Sequence, residues 1–184
     1  MCDRVLQVRE AVTPVFVEDS LRSENTQGLR KLRQQASVPI AVGEQWDSKW
    51  AFRQVIEGEL MDYCHVDLCI VGGLTEAKNI AGWCETHYID IAPHNPLGPI
   101  SAAACVALCM ATTNVGVQEM PKQPGTVDTE LFPEQIEWRD GFAFAPDKPG
   151  LGVEMDESIA ESRRGSGGGW PPLLRRNDGA FTNW

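Results

Sequence analysis

The stretch IDIAPHNPLGPISAAACVALCMAT, residues 89–112, holds a strand pattern, a turn pattern and a helix pattern in succession. It begins with an apolar run that is β-branched at its start and ends on His94. Two prolines and a glycine follow, and such residues interrupt regular structure before the pattern becomes helical again. The stretch therefore predicts one strand–helix unit, with the His94 imidazole at the end of the strand.

The same unit repeats along the first 120 residues. Short β-rich apolar runs, nearly continuous rather than alternating, are typical of strands buried on both faces of a parallel sheet. Four more such runs are PVFVE (14–18), PIAVGE (39–44), YCHVDLC (63–69) and NVGVQE (114–119). The helical patterns between them include NTQGLRKLRQQA, SKWAFRQVIEGEL and TEAKNIAGWCETH. This alternation of strand and helix predicts an α/β fold with a parallel sheet.

Residues beyond 120 follow a different pattern. From Pro121 to Glu157 the chain is rich in proline, glycine and acidic residues, with one short strand candidate at GFAFA. The later run RRGSGGGWPPLL predicts a flexible or irregular tail. Its GSGGG segment resembles a phosphate loop only superficially, because the preceding strand and the Lys-Ser/Thr pair are missing. A linker is the preferred interpretation.

Composition limits the classes of partner. The 184 residues, 42% of them hydrophobic, are enough for one domain with a sizeable core. A net charge of −10 argues against binding to nucleic acid or to an anionic membrane, because phosphate contacts need clustered Lys and Arg. An anionic small molecule remains compatible, because a bound metal ion can supply positive charge locally.

The sequence predicts neither secretion nor a membrane anchor. The start MCDRVLQVREAV has mixed charge without an apolar core, and no apolar run approaches the length of a membrane span. The six cysteines form no CxxC pair and no zinc-type spacing with the three histidines. We expect Cys64, Cys69, Cys105 and Cys109 to be buried free thiols, and the protein to be cytoplasmic.

Each strand run carries one ionisable side chain at or near its end. These residues are Glu18, Glu44, Asp67, His94 and Glu119, and their successive spacings are 26, 23, 27 and 25 residues. In a parallel α/β barrel all strand carboxyl ends point to one face, where the active site lies. Taken singly, a strand-end Glu is usually a solvated loop residue, and a lone His is usually a hydrogen-bonded structural group. Five such residues in phase predict a shared site instead.

The residue types in this set indicate metal and acid–base chemistry. Glu18 and Glu44 suit a hard cation such as Mg²⁺, which takes a few carboxylates and completes its shell with water or substrate. Asp67 can accept a hydrogen bond from one nitrogen of His94, leaving the other nitrogen as a general base. A metal beside such a pair suits removal of a proton next to a carboxylate, because the metal can hold the charge of the resulting enediolate.

Several stretches carry a resemblance to a known family: VFVEDSLRSENTQGLRKL, VPIAVGEQW, DYCHVDLCIVGGLTEAKNIA, IAPHNPLGPIS, NVGVQE and the closing DGAFTNW. Together they resemble the mandelate racemase branch of the enolase superfamily, and within it the D-galactonate dehydratases. The resemblance implies an α/β fold: the C-terminal part, strands four to eight, of an enolase-type (β/α) barrel, which is incomplete here. Residues 1–120 would form this partial barrel domain. Residues 121–184 would form an irregular C-terminal segment packing on it, with a flexible linker at 163–169.

At matching positions the resemblance also implies roles. Glu18 and Glu44 are similar to the second and third Mg²⁺ ligands of the family, and Asp67 and His94 to its strand-six and strand-seven pair. His94 would be the base that removes the proton α to the substrate carboxylate, since superfamily members use a Lys or His base beside Mg²⁺. Glu119 would hydrogen-bond the substrate. The implied reaction removes water from a small acid sugar to give a 2-keto-3-deoxy acid.

The sequence departs from the family pattern in places. Ser20 stands where relatives have Pro after the ligand, and Gln45 and Trp46 follow Glu44 where relatives often have other side chains. Complete members also have a capping domain, a first metal-binding Asp and a nearby acid His, and we find no counterpart of these in the 184 residues. We therefore predict little or no dehydratase activity for this chain alone.

Other hypotheses stay open beside the dehydratase. The first is a truncated, non-catalytic member of the same superfamily that acts at most as a binding or assembly partner, and a homo-oligomer is compatible with either view. Racemase activity is not excluded, because the Lys base of racemases would lie on strand two. A flavodoxin-like binding domain would need a glycine-rich phosphate loop after the first strand, and residues 19–23 are not glycine-rich.

Overall fold

The computed structural model describes residues 13–164 and 175–180, and its centre is a parallel four-stranded sheet. The strands are β1 (Val17–Glu18), β2 (Ile40–Val42), β3 (Tyr63–Cys64) and β4 (Asp90–Ile91), ordered in the sheet as in the chain. The helices that alternate with them are α1 (Thr26–Gln35), α2 (Lys49–Ile56), α3 (Leu68–Val71), α4 (Leu74–Glu85) and α5 (Pro99–Met110). None of the described helices is long and apolar enough to span a membrane. The alternation confirms the predicted α/β class, and the described sheet stays open rather than closing into a barrel.

The main core lies between the helices and one face of the sheet. Each of the longer helices contributes fully buried side chains, among them Leu32 of α1, Phe52 of α2 and Ile80 of α4. Burying an apolar side chain of this size stabilises the fold by about 1.5–3 kcal/mol. The helices therefore hold the strands side by side, and this arrangement aligns the strand ends.

Successive side chains of a strand point to opposite faces of the sheet, so the neighbours of a core residue lie on the face away from the helices. Cys64 belongs to the main core, whereas its neighbours Tyr63 and His65 point away from the helices. Both rings contact the ring of Phe16, with centroid distances of 5.1 Å and 5.8 Å. His65 is therefore covered by an aromatic ring on the face that the helices leave free.

An ion pair ties α1 to the beginnings of β2 and β3. Arg33, in the last turn of α1, donates two hydrogen bonds of 2.6 Å and 2.9 Å to the Asp62 carboxylate. The same carboxylate accepts a hydrogen bond of 2.8 Å from the backbone N–H of Ile40. Two-pronged Arg–carboxylate contacts are among the stronger hydrogen bonds in proteins. This contact fixes the amino ends of two strands, so their carboxyl ends reach the same edge.

Residues 114–119 pair with the sheet at one position instead of forming the predicted strand. The structure has a single parallel bridge there, between Ile91 and Val115. Gly116 N donates a hydrogen bond of 2.9 Å to the carbonyl of Ile91. Further along, the side-chain amide of Gln118, rather than the backbone, donates to the carbonyl of Pro93 at 3.3 Å. A side chain thus replaces the backbone in the contact, and the ladder does not continue.

The predicted strand at residues 63–69 ends early. It pairs at Tyr63 and Cys64 and then turns into α3, because the Asp67 side chain caps that helix. Cys69 therefore lies on an exposed helix position, so the expectation of a buried thiol there is wrong. The prediction of burial is correct for Cys105, and burial raises the pKa of its thiol to about 12. All the cysteines in the described ranges are free: Cys64, Cys69, Cys84, Cys105 and Cys109.

Residues 121–164 continue the fold with a hairpin and a short helix. Strands β5 (Glu137–Arg139) and β6 (Phe142–Phe144) pair antiparallel, and β6 coincides with the predicted GFAFA strand. Helix α6 (Glu157–Ser162) follows. The buried side chain of Ile136 packs against the alanine-rich face of α5. The division at residue 120 stays a prediction, and residues 165–169 of the predicted linker lie outside the described ranges.

Apolar side chains are exposed at both edges of the sheet. Val15, just before β1, is 68% exposed, and Val117, beyond β4, is 44% exposed. An open strand edge with apolar side chains beside it is a surface on which other chains can pair.

Candidate metal and acid–base site

Glu44 reaches the carboxyl edge of the sheet through a tight turn after β2. Gly43 has a φ of +137°, a conformation that L side chains rarely adopt. A Cβ atom at this position would also lie 2.8 Å from the Phe52 ring. Glycine therefore permits the turn between Val42 and Glu44, and the Glu44 carboxylate reaches to 3.0 Å from His94 Nε2.

Asp67 and His94 form a hydrogen-bonded pair on adjacent chain segments. His94 Nδ1 lies 2.9 Å from Asp67 Oδ2, and the backbones of the two residues form a parallel bridge. The other oxygen, Asp67 Oδ1, accepts hydrogen bonds of 2.7 Å and 3.1 Å from the backbone N–H groups of Cys69 and Ile70. Helix capping thus fixes the carboxylate, and the carboxylate fixes the orientation of the imidazole.

The second nitrogen of His94 faces the neighbouring carboxylate. Nε2 lies 3.0 Å from Glu44 Oε2, and the His94 side chain is 13% exposed. When Nδ1 donates its proton to Asp67, Nε2 keeps a lone pair that faces the site. Nε2 is therefore the ring nitrogen that can take up a proton, and once protonated it can donate to Glu44.

Glu18, Glu44 and His65 form a second cluster beside this pair. One potential ligand atom from each residue lies within 4.8 Å of the others. His65 is 2% exposed, and its Nδ1 lies 3.1 Å from Glu18 Oε1. The contact does not have hydrogen-bond geometry, so Nδ1 is a buried polar atom without a hydrogen-bond partner among the described residues. Buried atoms of this kind are uncommon and often indicate a missing ligand or water.

Burial controls the charge of His65. Removal of water around the ring lowers its pKa, while the negative charges of Glu18 and Glu119 oppose this effect only in part. The neutral imidazole, which is the form that binds metal ions, is therefore favoured.

Asp19 adds a further carboxylate to this edge. Burial, together with the charges of Glu44 and Glu18, raises the pKa of Asp19 to about 6. The residue also has a positive φ of 38°, which places it in the left-handed region next to Glu18. Negative charge is thus concentrated where the strands β1 and β2 end.

Glu119 lies at the far side of the site, against the loop that follows His94. Its Oε2 accepts a hydrogen bond of 2.6 Å from the backbone N–H of Asn95. The side-chain amide of Asn95, a fully buried residue, donates back to the carbonyl of Glu119 at 3.4 Å. These contacts fix the Glu119 carboxylate, whose predicted role towards substrate stays a prediction.

The structure brings the residues at the strand ends to one edge of the sheet, and it adds two that the sequence analysis missed, His65 and Asp19. The strand-end pattern assigns one side chain to each strand and therefore leaves out both residues. A signal for His65 was present, because it precedes Asp67 by two residues and a strand places such residues on one face.

A known family matches most of the chain. The family model described as enolase C-terminal domain-like covers residues 2–159. The chain belongs to this family. Membership in the enolase C-terminal domain-like family agrees with the resemblance in the sequence and accounts for the parallel sheet with helices.

Curated relatives of this enolase C-terminal domain-like chain include acid-sugar dehydratases. A D-mannonate dehydratase of Caulobacter vibrioides is 35% identical over 171 residues, which cover 92% of this chain and 42% of the relative. A D-galactonate dehydratase of Ralstonia nicotianae is 31% identical over 191 residues, covering 100% of this chain and 50% of the relative. The chain thus spans half or less of the length of these relatives. D-mannonate and D-galactonate dehydratases occur among them at similar identity, so the identity of the acid sugar stays open.

A solved structure shares the fold. An enolase from Pantoea ananatis, with bound D-gluconate and Mg, is 34% identical and superposes with a TM-score of 0.82. The match covers 91% of this chain and 40% of that protein.

The cluster can be compared with what a Mg²⁺ ion requires. Glu18 and Glu44 supply carboxylate oxygens, which Mg²⁺ prefers, and a cation between them would offset the crowding of negative charge. These two residues fit Mg²⁺. The nitrogen of His65 is a different kind of donor, because imidazole suits transition metals such as Zn²⁺, Ni²⁺ and Cu²⁺.

Proposed function

We propose that this chain carries the proton-abstracting part of a Mg²⁺-dependent acid-sugar dehydratase, which converts a sugar acid to a 2-keto-3-deoxy acid. The observation that carries the proposal is the Asp67–His94 pair, at 2.9 Å, beside the carboxylates Glu18 and Glu44. The dehydratase relatives and the gluconate-bound Pantoea structure support the substrate class.

In the proposed reaction His94 Nε2 accepts the proton from the carbon next to the substrate carboxylate. The C–H electrons first form an enediolate. These electrons then expel the β-hydroxyl, which takes a proton from a general acid and leaves as water, and the resulting enol becomes a ketone while His94 gives up its proton. Asp67 keeps the His94 ring in one orientation and stabilises the positive charge that the ring gains. Because the backbone amides of α3 hold Asp67, the base does not have to reorganise when it becomes charged.

The remaining residues act on the substrate carboxylate and its neighbours. Glu18 and Glu44 would hold a Mg²⁺ ion, which when bound supplies positive charge that acidifies the α-proton. Glu119, fixed by Asn95, would hydrogen-bond the substrate as negative charge develops.

The chain on its own is expected to abstract the proton without expelling water efficiently. In the family an acid assists the departure of the hydroxyl, and the residue in that role lies on a strand for which we find no counterpart in the sequence. Removal of the α-proton therefore tests the site more directly than loss of water does. It can be observed by hydrogen exchange without product formation.

The test is α-proton exchange in D₂O. The 184-residue chain is incubated with Mg²⁺ and D-galactonate, D-mannonate or D-gluconate, and loss of the C2 proton signal is followed by NMR. We expect exchange of at least one acid, abolished in His94→Asn and unchanged in His87→Asn, a control in the turn after α4. Formation of keto-deoxy acid, measured in parallel, should be slight.

Two outcomes would contradict the proposal. Absence of exchange with all three acids, in a chain that circular dichroism shows to be folded, would favour the non-catalytic binding hypothesis. Exchange that persists in His94→Asn would place the base elsewhere.

A further inference from the structure

We propose that His65 is a third metal ligand, so that Glu18, Glu44 and His65 form a mixed oxygen–nitrogen site that prefers a divalent transition metal to Mg²⁺. The inference rests on the proposed function only in taking Glu18 and Glu44 as metal ligands. It goes beyond that function by adding a ligand and changing the preferred metal.

The first support is the position of the donor atoms. The three residues each place one potential ligand atom within 4.8 Å of the others. Bonds of about 2.0–2.2 Å from a metal to nitrogen or oxygen allow two ligands to lie up to roughly 4 Å apart. Only small side-chain movements would bring all three atoms to one ion. The 39% exposed Glu18 side chain is free to make them.

The second, independent support is the state of His65 itself. Its ring is almost fully buried, and its Nδ1 has no hydrogen-bond partner in the described ranges. Leaving a buried nitrogen unpaired is unfavourable, and a metal–nitrogen bond would remove that cost. Nδ1 lies 3.1 Å from Glu18 Oε1, so the orphaned atom and the carboxylate border the same space.

The scaffold holds this nitrogen in place. The His65 backbone N–H donates to the carbonyl of Val42 at 2.9 Å, which fixes the residue beside β2. The rings of Phe16 and His94 contact the imidazole, with centroid distances of 5.8 Å and 5.6 Å. A ring confined in this way presents its nitrogen without losing much rotational freedom when a metal binds.

The identity of the donors predicts the choice of metal. Carboxylates alone suit Mg²⁺ and Mn²⁺, whereas imidazole suits Zn²⁺, Ni²⁺ and related ions. For a given nitrogen and oxygen site, affinity generally rises from Mn²⁺ through Co²⁺ to Cu²⁺. His65 should therefore strengthen the binding of Co²⁺ and Zn²⁺ while leaving the binding of Mg²⁺ nearly unchanged.

The test uses the full 184-residue chain after removal of metal with EDTA. Cys2 and Cys69 are replaced by Ser in every sample, so that thiols do not compete for the ions. Co²⁺ binding is followed by visible absorption, Zn²⁺ by competition with a chromophoric chelator, and Mg²⁺ by calorimetry. We expect Co²⁺ and Zn²⁺ to bind at least about tenfold more tightly than Mg²⁺.

His65→Gln removes the ring nitrogen and keeps a polar side chain. Loss of a group that only supports a ligand typically weakens metal binding about 10–100-fold, so loss of the ligand itself should weaken Co²⁺ binding at least about tenfold. Mg²⁺ binding should stay the same. His87→Gln is the matched control, because its Nδ1 lies 3.8 Å from Glu59, outside the cluster, and all affinities should be unchanged.

A second measurement does not depend on the folding of a variant. Zn²⁺ added to the ¹⁵N-labelled chain should shift the Nδ1 resonance of His65, assigned through its contact with the Phe16 ring. The inference is overturned if that nitrogen does not shift, if folded His65→Gln keeps its Co²⁺ affinity, or if Mg²⁺ binds as tightly as Co²⁺.

These results can be told apart from a failure of the proposed function. A chain that exchanges the α-proton but prefers Mg²⁺ overturns only the inference. A chain that binds Co²⁺ through His65 but exchanges no α-proton overturns only the proposed dehydratase chemistry.

Discussion

Asp67 uses its two oxygens for different purposes. One oxygen holds the backbone amides at the start of α3, and the other holds the ring of His94. A single residue therefore connects local backbone structure to the acid–base chemistry of the site.

Replacement of Asp67 by Asn should separate these purposes. Asn caps helices about as well as Asp, so the thermal unfolding temperature should change little. An amide neither enforces the same tautomer of His94 nor stabilises the charged ring, so we expect α-proton exchange to slow at least about 10²-fold. NMR exchange in D₂O and thermal unfolding followed by circular dichroism measure the two effects.

The control for this substitution is Asp156→Asn. Asp156 caps α6 with the same pattern, accepting hydrogen bonds from Ser158 N and Ile159 N. This variant should leave α-proton exchange unchanged. An equal loss of exchange in both variants would show that helix capping, rather than the contact with His94, matters.

At the scale of single residues, the sequence predicts those site residues whose positions depend on spacing along the chain. Glu18, Glu44, Asp67 and His94 could be chosen because one strand–helix unit separates each from the next. The environment of His65 could not be predicted, because its nearest carboxylate is Glu18 on a different strand. Nothing near position 65 in the sequence specifies that contact.

Among the elements, the turn after β2 decides where Glu44 lies. Gly43→Ala should be destabilising because the new Cβ would meet the Phe52 ring at 2.8 Å and because φ is +137°. Backbone strain and overpacking each cost about 1–3 kcal/mol, so we expect a loss of roughly 2–4 kcal/mol in the free energy of unfolding. Urea unfolding measures this loss.

The matched control is Gly82→Ala in α4, where a Cβ atom meets nothing within 4 Å. Alanine is a better helix former than glycine, so this variant should be as stable as the original or up to about 1 kcal/mol more stable. Equal destabilisation by both substitutions would refute the steric argument.

Apolar runs in the sequence predict where the strands lie more accurately than they predict how long the strands are. Each run predicted from the sequence lies where the chain meets the sheet, yet β1, β3 and β4 have two residues each. Pairing needs a partner backbone in reach, and side-chain contacts such as those of Asp67 and Gln118 end it early. These contacts depend on the tertiary structure, so no local sequence pattern predicts them.

At the scale of the whole molecule, the described ranges leave apolar side chains exposed beside the outer strands of the sheet, at Val15 and Val117. We expect the purified chain to self-associate with rising concentration, and the edge substitutions Val15→Lys and Val117→Lys to reduce this, because Lys at a strand edge opposes pairing. Tyr88→Lys is the control, since Tyr88 is 98% exposed but lies in the turn after α4. Light scattering measures the association, and a concentration-independent monomer would refute the prediction.

The strand order also has a consequence for the kinetics of folding. Each strand pairs with the one before it in the chain, as at Val17–Ile40, Ala41–Tyr63 and Tyr63–Asp90, so every closure joins residues 22 to 27 positions apart. Loops of this length carry a modest entropy cost, and short sequence separations favour fast folding. The sheet can therefore grow in the direction of synthesis, with Glu18 and Glu44 brought together before Asp67 and His94 are added.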